Sequence, residues 1–329
     1  MAHERIRTHA GLTAVAASVA FSAVAVAPAV ATSTQHMYVS ESRFHTILRF
    51  PVTNGIPAQR PDATITGLTF PRGVSIGPDG RLYAVDAGTQ QLAIYAPMPG
   101  TGSKPVKVLA IGHKEGLGTV DIDSAGYVYV GWSHSCTTEG FHCGYADVYS
   151  SFANGLKYLT TLSWGGGPPS AFIRSIAVDP NQTLAENTGG QGAVVYANAP
   201  YGQSPFFVFC GAVDPAGLGW GPNGSLIETD LGGVQPKTPA QVVVIPNYQQ
   251  NPNCPPFYAI TSATTPLNYP YALASSGGLI YVSSAFNPQI GSALVFVFDP
   301  TKSGSQTPLA LIGGRASHLV SIAGIAIGP

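Results

Sequence analysis

The sequence predicts an all-β fold, a six-bladed β-propeller of four-stranded blades, and three observations carry that prediction. A strand–turn–strand pattern over Pro71–Ala96 (PRGVSIGPDGRLYAVDAGTQQLAIYA) recurs in weaker form along the chain. Its inner strands return at intervals of about 43 to 56 residues, the range of four-stranded repeats with their loops. The two chain ends are complementary, each supplying strands that the other lacks.

The repeat is clearest at Pro71. Gly73–Ile76 alternates small and apolar residues, as a tightly packed inner strand does, and Pro78-Asp79-Gly80 is a turn. Proline presets φ, and Asp-Gly supplies the positive-φ positions of a tight hairpin. Leu82–Val85 is the second strand, Asp86-Ala87-Gly88 the next turn, and Leu92–Tyr95 the third strand, stopped by Pro97. Val106–Ile111 is the fourth. This segment is blade 1.

Blade 2 starts at Leu117 (LGTVDIDSAGYVYVGW), with outer strands in Tyr145–Tyr149 and Tyr158–Leu162. Blade 3 starts at Ile173 (IRSIAVDPNQTLAEN), with Val194–Tyr196 and Phe206–Phe209 outside. Blade 4 starts at Gly217 (GLGWGPNGSLIETD), followed by Gln241–Ile245 and Phe257–Thr261. Blade 5 starts at Tyr271 (YALASSGGLIYVSS), followed by Leu294–Phe298 and Leu309–Ile312. Blade 6 is split. Ile322–Pro329 (IAGIAIGP) matches an inner strand, while His36–Ser42 (HMYVSES), Thr46–Phe50 and Ala63–Thr66 match the three strands that should follow it. Pairing the C-terminal strand with the N-terminal three closes the ring and removes an open sheet edge.

Ahead of the ring, Arg5 and Arg7 precede an apolar run from Ala10 to Ala27, and Ala29-Val30-Ala31 offers small residues at a cleavage site. This is the pattern of a secretory signal peptide over residues 1–31, leaving 32–329 as a single propeller domain with no membrane span after cleavage. Secretion, to the periplasm or the extracellular space, is the expected localisation. Removing Arg5, Arg7 and Glu4 leaves 13 Lys+Arg against 15 Asp+Glu. So weak a charge gives no footprint for nucleic acid or anionic membrane. In an oxidising compartment the four cysteines are expected as disulfides, Cys136 with Cys143 and Cys210 with Cys254 being the preferred of three pairings. A zinc site is the rival reading of the same residues, without a CxxC spacing to support it.

The motif Pro-x-Gly-apolar-x-apolar, then Asp-Gly, then Leu-Tyr-x-x-Asp, as it stands in Pro71–Asp86, resembles the NHL-repeat and broader six-bladed propeller superfamily. The resemblance spans the mature chain but is close in blade 1 alone. It implies architecture, and a ligand face formed by the loops after each second strand and before each inner strand. Members include binding proteins, lactonases and lyases, so it does not choose among functions. His45, His113, His134, His142 and His318 map to the loops of that face but not to the channel, and no metal or other cofactor is expected.

The position near the start of each inner strand aligns as Arg72, Gly118, Arg174, Ala216, Tyr271 and Ala323. Arg72, Arg174 and Tyr271 around one mouth suit a carboxylate or phosphate, which guanidinium forks bind bidentately. The bland alternative is that both arginines hydrogen-bond neighbouring blades. In the second strands one apolar position (Val39, Ala84, Val130, Val282) is replaced by Glu186 and Glu228. Two carboxylates there would share a proton as acid and base, the weak catalytic candidates of this chain. Glu41, Asp86 and Asp230 fall two positions further on and read as acceptors for backbone N–H groups. Trp132 and Trp164, in or beside the loops of the ligand face, are candidates for stacking on a ligand, or else fill the wedge between blades as Trp220 is expected to do.

The expected function is therefore a secreted binding or scaffold module, monomeric, taking a protein, a glycan or a small anionic ligand on its loop-rich face. The alternative is a hydrolase or lyase, lactonase-like, acting on a small anionic or carbohydrate-derived substrate at the channel. The sequence leaves open whether the protein is an enzyme.

Overall fold

The structure, a computed structural model, describes residues 34–112, 116–135, 142–163, 173–187, 193–201, 206–208, 214–232, 239–246, 248, 257–287 and 290–329. Six antiparallel sheets are arranged in a ring, with neighbouring inner strands in contact all the way around. Blade 1 comprises Pro71–Ile76, Leu82–Asp86, Gln91–Tyr95 and Lys107–Ala110. Blade 2 comprises Thr119–Ile122, Val128–Ser135, His142–Tyr149 and Tyr158–Ser163. Blade 3 comprises Ser175–Val178, Leu184–Asn187, Ala193–Tyr196 and Phe206–Val208. Blade 4 comprises Pro215–Trp220, Leu226–Asp230, Gln241–Ile245 and Tyr258–Ser262, and Gly304–Gln306 adds a parallel strand to its outer edge. Blade 5 comprises Leu273–Ser276, Leu279–Asn287, Ser292–Phe298 and Ala310–Ile312.

Blade 6 is the closure that the chain ends predict. Ile322–Gly328 pairs antiparallel with Gln35–Glu41, setting Val39 opposite Ile325, and Thr46–Thr53 and Ala63–Ile65 continue the sheet outward. The ends are thereby locked into one sheet, and the C-terminal strand is not left unpaired.

Turn chemistry repeats with the strands. In blade 1 the Gly77 N–H donates to Arg81 O at 3.0 Å across the Pro78-Asp79-Gly80 turn, with Gly80 at φ +76°. The same closure occurs from Asp123 N to Tyr127 O, Asp179 N to Thr183 O and Gly221 N to Ser225 O. Between blades the inner strands approach backbone to backbone, which glycine alone permits. A Cβ on Gly73 would lie 2.6 Å from Thr119 Cα, and one on Gly324 would lie 2.7 Å from Arg72 O. The remaining core fills the wedges between sheets, for example Tyr83, Val85 and Leu92 of blade 1 against Val120, Val128 and Val130 of blade 2.

Candidate functional site

The central channel is the natural place to look, because every inner strand contributes to it. It encloses about 420 Å³. The strand register behind the alignment is the same in all six blades, although of the aligned residues Gly118, Arg174, Tyr271 and Ala323 line the cavity while Arg72 and Ala216 do not. The residue two places after each, namely Val74, Val120, Ile176, Leu218, Leu273 or Ile325, pairs with the aligned second-strand residue Ala84, Val130, Glu186, Glu228, Val282 or Val39.

Of the predicted anion-binding residues, Arg174 and Tyr271 line this cavity and Arg72 does not. Arg174 Nη1 donates to Asp214 Oδ1 and to Pro215 O of the next blade, so part of its hydrogen-bonding capacity is committed to holding blades 3 and 4 together. Tyr271 has its backbone N–H bound to Ser283 Oγ at 3.2 Å, which fixes where its strand starts. Arg72 turns away, with its guanidinium carbon 5.1 Å from the Phe70 ring centroid. The three residues therefore do not form one anion cradle.

The aligned position carries no acidic residue, but three places further along the inner strand of blade 2 the chain brings one to the channel. Asp121 lies in the cavity wall. Ser75 Oγ donates to its Oδ1 at 2.8 Å, the Val178 N–H to its Oδ2 at 2.8 Å, and its neighbour Ile122 N–H to Oδ1 at 2.9 Å. One carboxylate thus ties blades 1, 2 and 3 at their inner edge. Desolvation among the strands outweighs these hydrogen bonds and pushes its pKa up to about 6. The pattern was present in the sequence: the equivalent residues are Ser75, Ala177, Gly219, Ala274 and Ala326, all small and uncharged. Trp220, expected in a wedge, also lines the cavity, with its ring 5.4 Å from that of Tyr248.

Glu186 and Glu228 occupy the expected second-strand positions and are buried, at 1% and 0% exposure. They are not brought together. Glu186 shares a sheet face with Leu184, which packs against Tyr129, Ala146 and Val148 of blade 2. Glu228 shares a face with Leu226, which packs against Ala177, Ala185, Ala193 and Val195 of blade 3. The sheet of blade 3 separates them, so the shared proton expected from sequence does not arise. Tyr196 OH donates to Glu186 Oε2 at 3.3 Å. Glu186 Oε1 and both oxygens of Glu228 have no hydrogen-bond partner among the described residues. Burial pushes each carboxyl up to about 8, which leaves both protonated and neutral at physiological pH. Neither lines the channel.

The acidic residues two positions further on do what the sequence predicts. Asp86 accepts the N–H groups of Thr69 (2.9 Å), Phe70 (2.8 Å) and Gly88 (3.2 Å). Glu41 accepts those of Arg43 (3.1 Å), Val320 (2.7 Å) and Ser321 (2.6 Å). Asp230 accepts those of Asp214 and Gly232, both at 3.0 Å. Each buried carboxylate clasps the loop leading into an inner strand to the end of the second strand beside it.

Trp132 is not in a loop. It sits in the second strand of blade 2, stacked on Tyr145 at 4.4 Å, with the His134 ring close to both, 5.2 Å from Tyr145 and 5.7 Å from Trp132. At 8% exposure it packs with the blade 1–blade 2 core, and His134 and His142 likewise belong to strands. Cys143 too falls in a strand, opposite His134, and its side chain lies outside the described residues, as do Cys136, Cys210, Cys254 and Trp164. Among the described residues there is no cluster of three His, Cys, Asp or Glu side chains suited to a metal, and no helix long and apolar enough to cross a membrane.

The arrangement defines a six-bladed β-propeller, and solved structures agree. A protein of unknown function from Bacteroides caccae superposes with a TM-score of 0.61 at 13% identity, over 90% of this chain and 99% of its own. A protein from Lactobacillus plantarum matches with a TM-score of 0.56 at 17% identity, over 85% and 82% of the two chains. A streptogramin B lyase matches with a TM-score of 0.50 at 12% identity, over 84% and 74%. At these identities the likeness is one of fold. No family model matches the sequence, and no curated protein does.

Proposed function

We propose that the protein is an exported, NHL-like binding propeller that takes a small ligand at the loop-rich mouth of its central channel. The observation that carries this reading is the cavity itself, about 420 Å³ with Arg174, Asp121 and Tyr271 in one wall system. Concave sites carrying a small number of polar and charged groups are where small molecules bind. The glutamates that would have served an acid–base reaction are sealed in separate wedges, which favours binding over turnover. The N-terminal segment ending at Ala31 supports a periplasmic or extracellular setting.

A second reading, a lyase or hydrolase at the same place, is favoured by Asp121 alone. A carboxylate with its pKa raised to about 6 is poised for proton transfer near neutral pH. The two readings separate in one experiment. A thermal-shift screen of small carboxylates, phosphates and oligosaccharides identifies ligands, which are then titrated against the parent and Tyr271→Ala proteins. Binding that weakens about tenfold or more in the variant, with the ligand recovered intact, supports the module. Conversion of the ligand, lost in Asp121→Asn, establishes the enzyme instead. A screen in which no ligand is weakened by Tyr271→Ala overturns a channel site.

A further inference from the structure

Where blade 6 meets blade 1 a second concavity opens on the loop-rich face, and it shares no wall residue with the channel. Ser42, Arg43, Phe70, Val320 and Ser321 line a space of about 580 Å³. Three stretches distant in sequence meet there because the ring closes at that seam: the hairpin after Glu41, the residue before Pro71, and the residues before Ile322. Phe70 is 36% exposed, and Arg72 lies over its ring. Arg43 is exposed. Neither arginine has an acidic partner within ion-pair distance among the described residues. At the rim, Ser42 Oγ and Ser321 Oγ form a hydroxyl pair 2.8 Å apart.

The walls are held rigidly from beneath. Glu41 fixes the backbone of Arg43, Val320 and Ser321, and Asp86 fixes that of Phe70. Each of these carboxylates accepts three backbone donors and forms no ion pair with Arg43 or Arg72, which keep their forks for a ligand. A preformed site loses little in ordering when it binds.

We infer that this seam binds an acidic sugar, a pyranose ring bearing a carboxylate. The apolar C–H face of such a ring suits the exposed part of Phe70 that Arg72 leaves open, as flat apolar surfaces stack on aromatic rings. Its carboxylate matches Arg43 in the wall, with Arg72 over Phe70 adding positive charge beside it, and its hydroxyls match Ser42 and Ser321. An acidic peptide satisfies the arginines but offers no counterpart to the hydroxyl pair beside a flat ring. A neutral sugar leaves two cations without a partner.

The test is calorimetric titration of the full chain with oligogalacturonate and with its methyl ester, which keeps the rings and hydroxyls but carries no carboxylate. The acid should bind, and the ester should bind at least about tenfold more weakly. Arg43→Ala should lower affinity about tenfold, while Arg60→Ala, an exposed arginine elsewhere, should leave it unchanged. Phe70→Leu keeps apolar bulk but removes the flat ring, and should weaken binding several-fold with the melting temperature retained. Raised salt should weaken the acid form selectively. Equal affinity for acid and ester, an unchanged affinity in Arg43→Ala, polyglutamate binding as tightly as the sugar, or no binding of the acid would each overturn the proposal.

Discussion

The two sealed glutamates make stability depend on pH in a direction opposite to that of most carboxylates. A paired carboxylate stabilises a fold as it ionises, whereas Glu186 and Glu228 must stay protonated to remain where they are. Both have pKa values pushed from 4.5 up to about 8 by burial. Between those two values the unfolded chain releases the proton and the folded chain keeps it. The folded state then binds more protons, so unfolding free energy falls as pH rises. The contribution is intact below pH 4.5 and gone above about pH 8. At about 1.4 kcal/mol per pH unit, the full interval amounts to roughly 5 kcal/mol for each glutamate, comparable with the whole stability of a small domain. Glu228→Gln keeps the size of the side chain and cannot ionise, so it isolates the effect. Urea unfolding followed by tyrosine and tryptophan fluorescence, at steps from pH 5 to 8, should give a parent curve that falls across the range. The variant's curve should be shallower by about 1.4 kcal/mol per pH unit. Asp121, raised to about 6, tilts both curves alike and cancels in the difference. A parent whose stability stays level or rises over this range, or a variant with the same slope as the parent, would refute the assignment of a neutral buried carboxyl.

Two further predictions concern the frame. Gly73→Ala places a Cβ 2.6 Å from Thr119 Cα and 2.9 Å from Val120 N, where backbone cannot step aside, and should cost about 2 kcal/mol or more, read as a lower thermal midpoint. An unchanged midpoint would mean that the inner strands do not pack as closely as described. Asp86→Ala strips the acceptor from the N–H groups of Thr69, Phe70 and Gly88, and should destabilise by about 3 kcal/mol in urea unfolding. Stability within a few tenths of the parent would show that water replaces the clasp at no cost.

What was legible in the sequence was whatever lies within one blade. Strand periodicity and turn chemistry act over a few residues, so the second strand of blade 1 expected at Leu82–Val85 appears as Leu82–Asp86, and Gln241–Ile245 appears with its expected bounds. The clasps were legible for the same reason, since Asp86 acts on Gly88 two residues ahead and on Phe70 sixteen behind. Even the split blade could be read, because each half carries its own local pattern and the other half is what that pattern lacks. Trp132 misled because its strand continues to Ser135, past the point where the sequence places the loop of the ligand face.

Interactions between blades were beyond reach, and the candidate site is made of them. The partners of Asp121 lie 46 residues before it and 57 after it, and nothing local marks either. Their meeting depends on the rotation from one blade to the next, which the repeat length alone does not set. The same limit explains Glu186 and Glu228. Their positions within their blades were read correctly, but whether two such residues face each other depends on which wedge each side chain enters. All six equivalent side chains point to the preceding blade, as Val130 does toward Tyr83 and Val282 toward Ile227. Carboxylates on consecutive blades are therefore kept a full sheet apart by the ring's own repetition. Residues from different blades meet instead at the inner edge, where the strands converge. Among the described residues the inner edge supplies the ionisable groups Asp121, Arg174 and Tyr271, with Ser75, Ser175, Ser275 and Trp220 beside them in the lining.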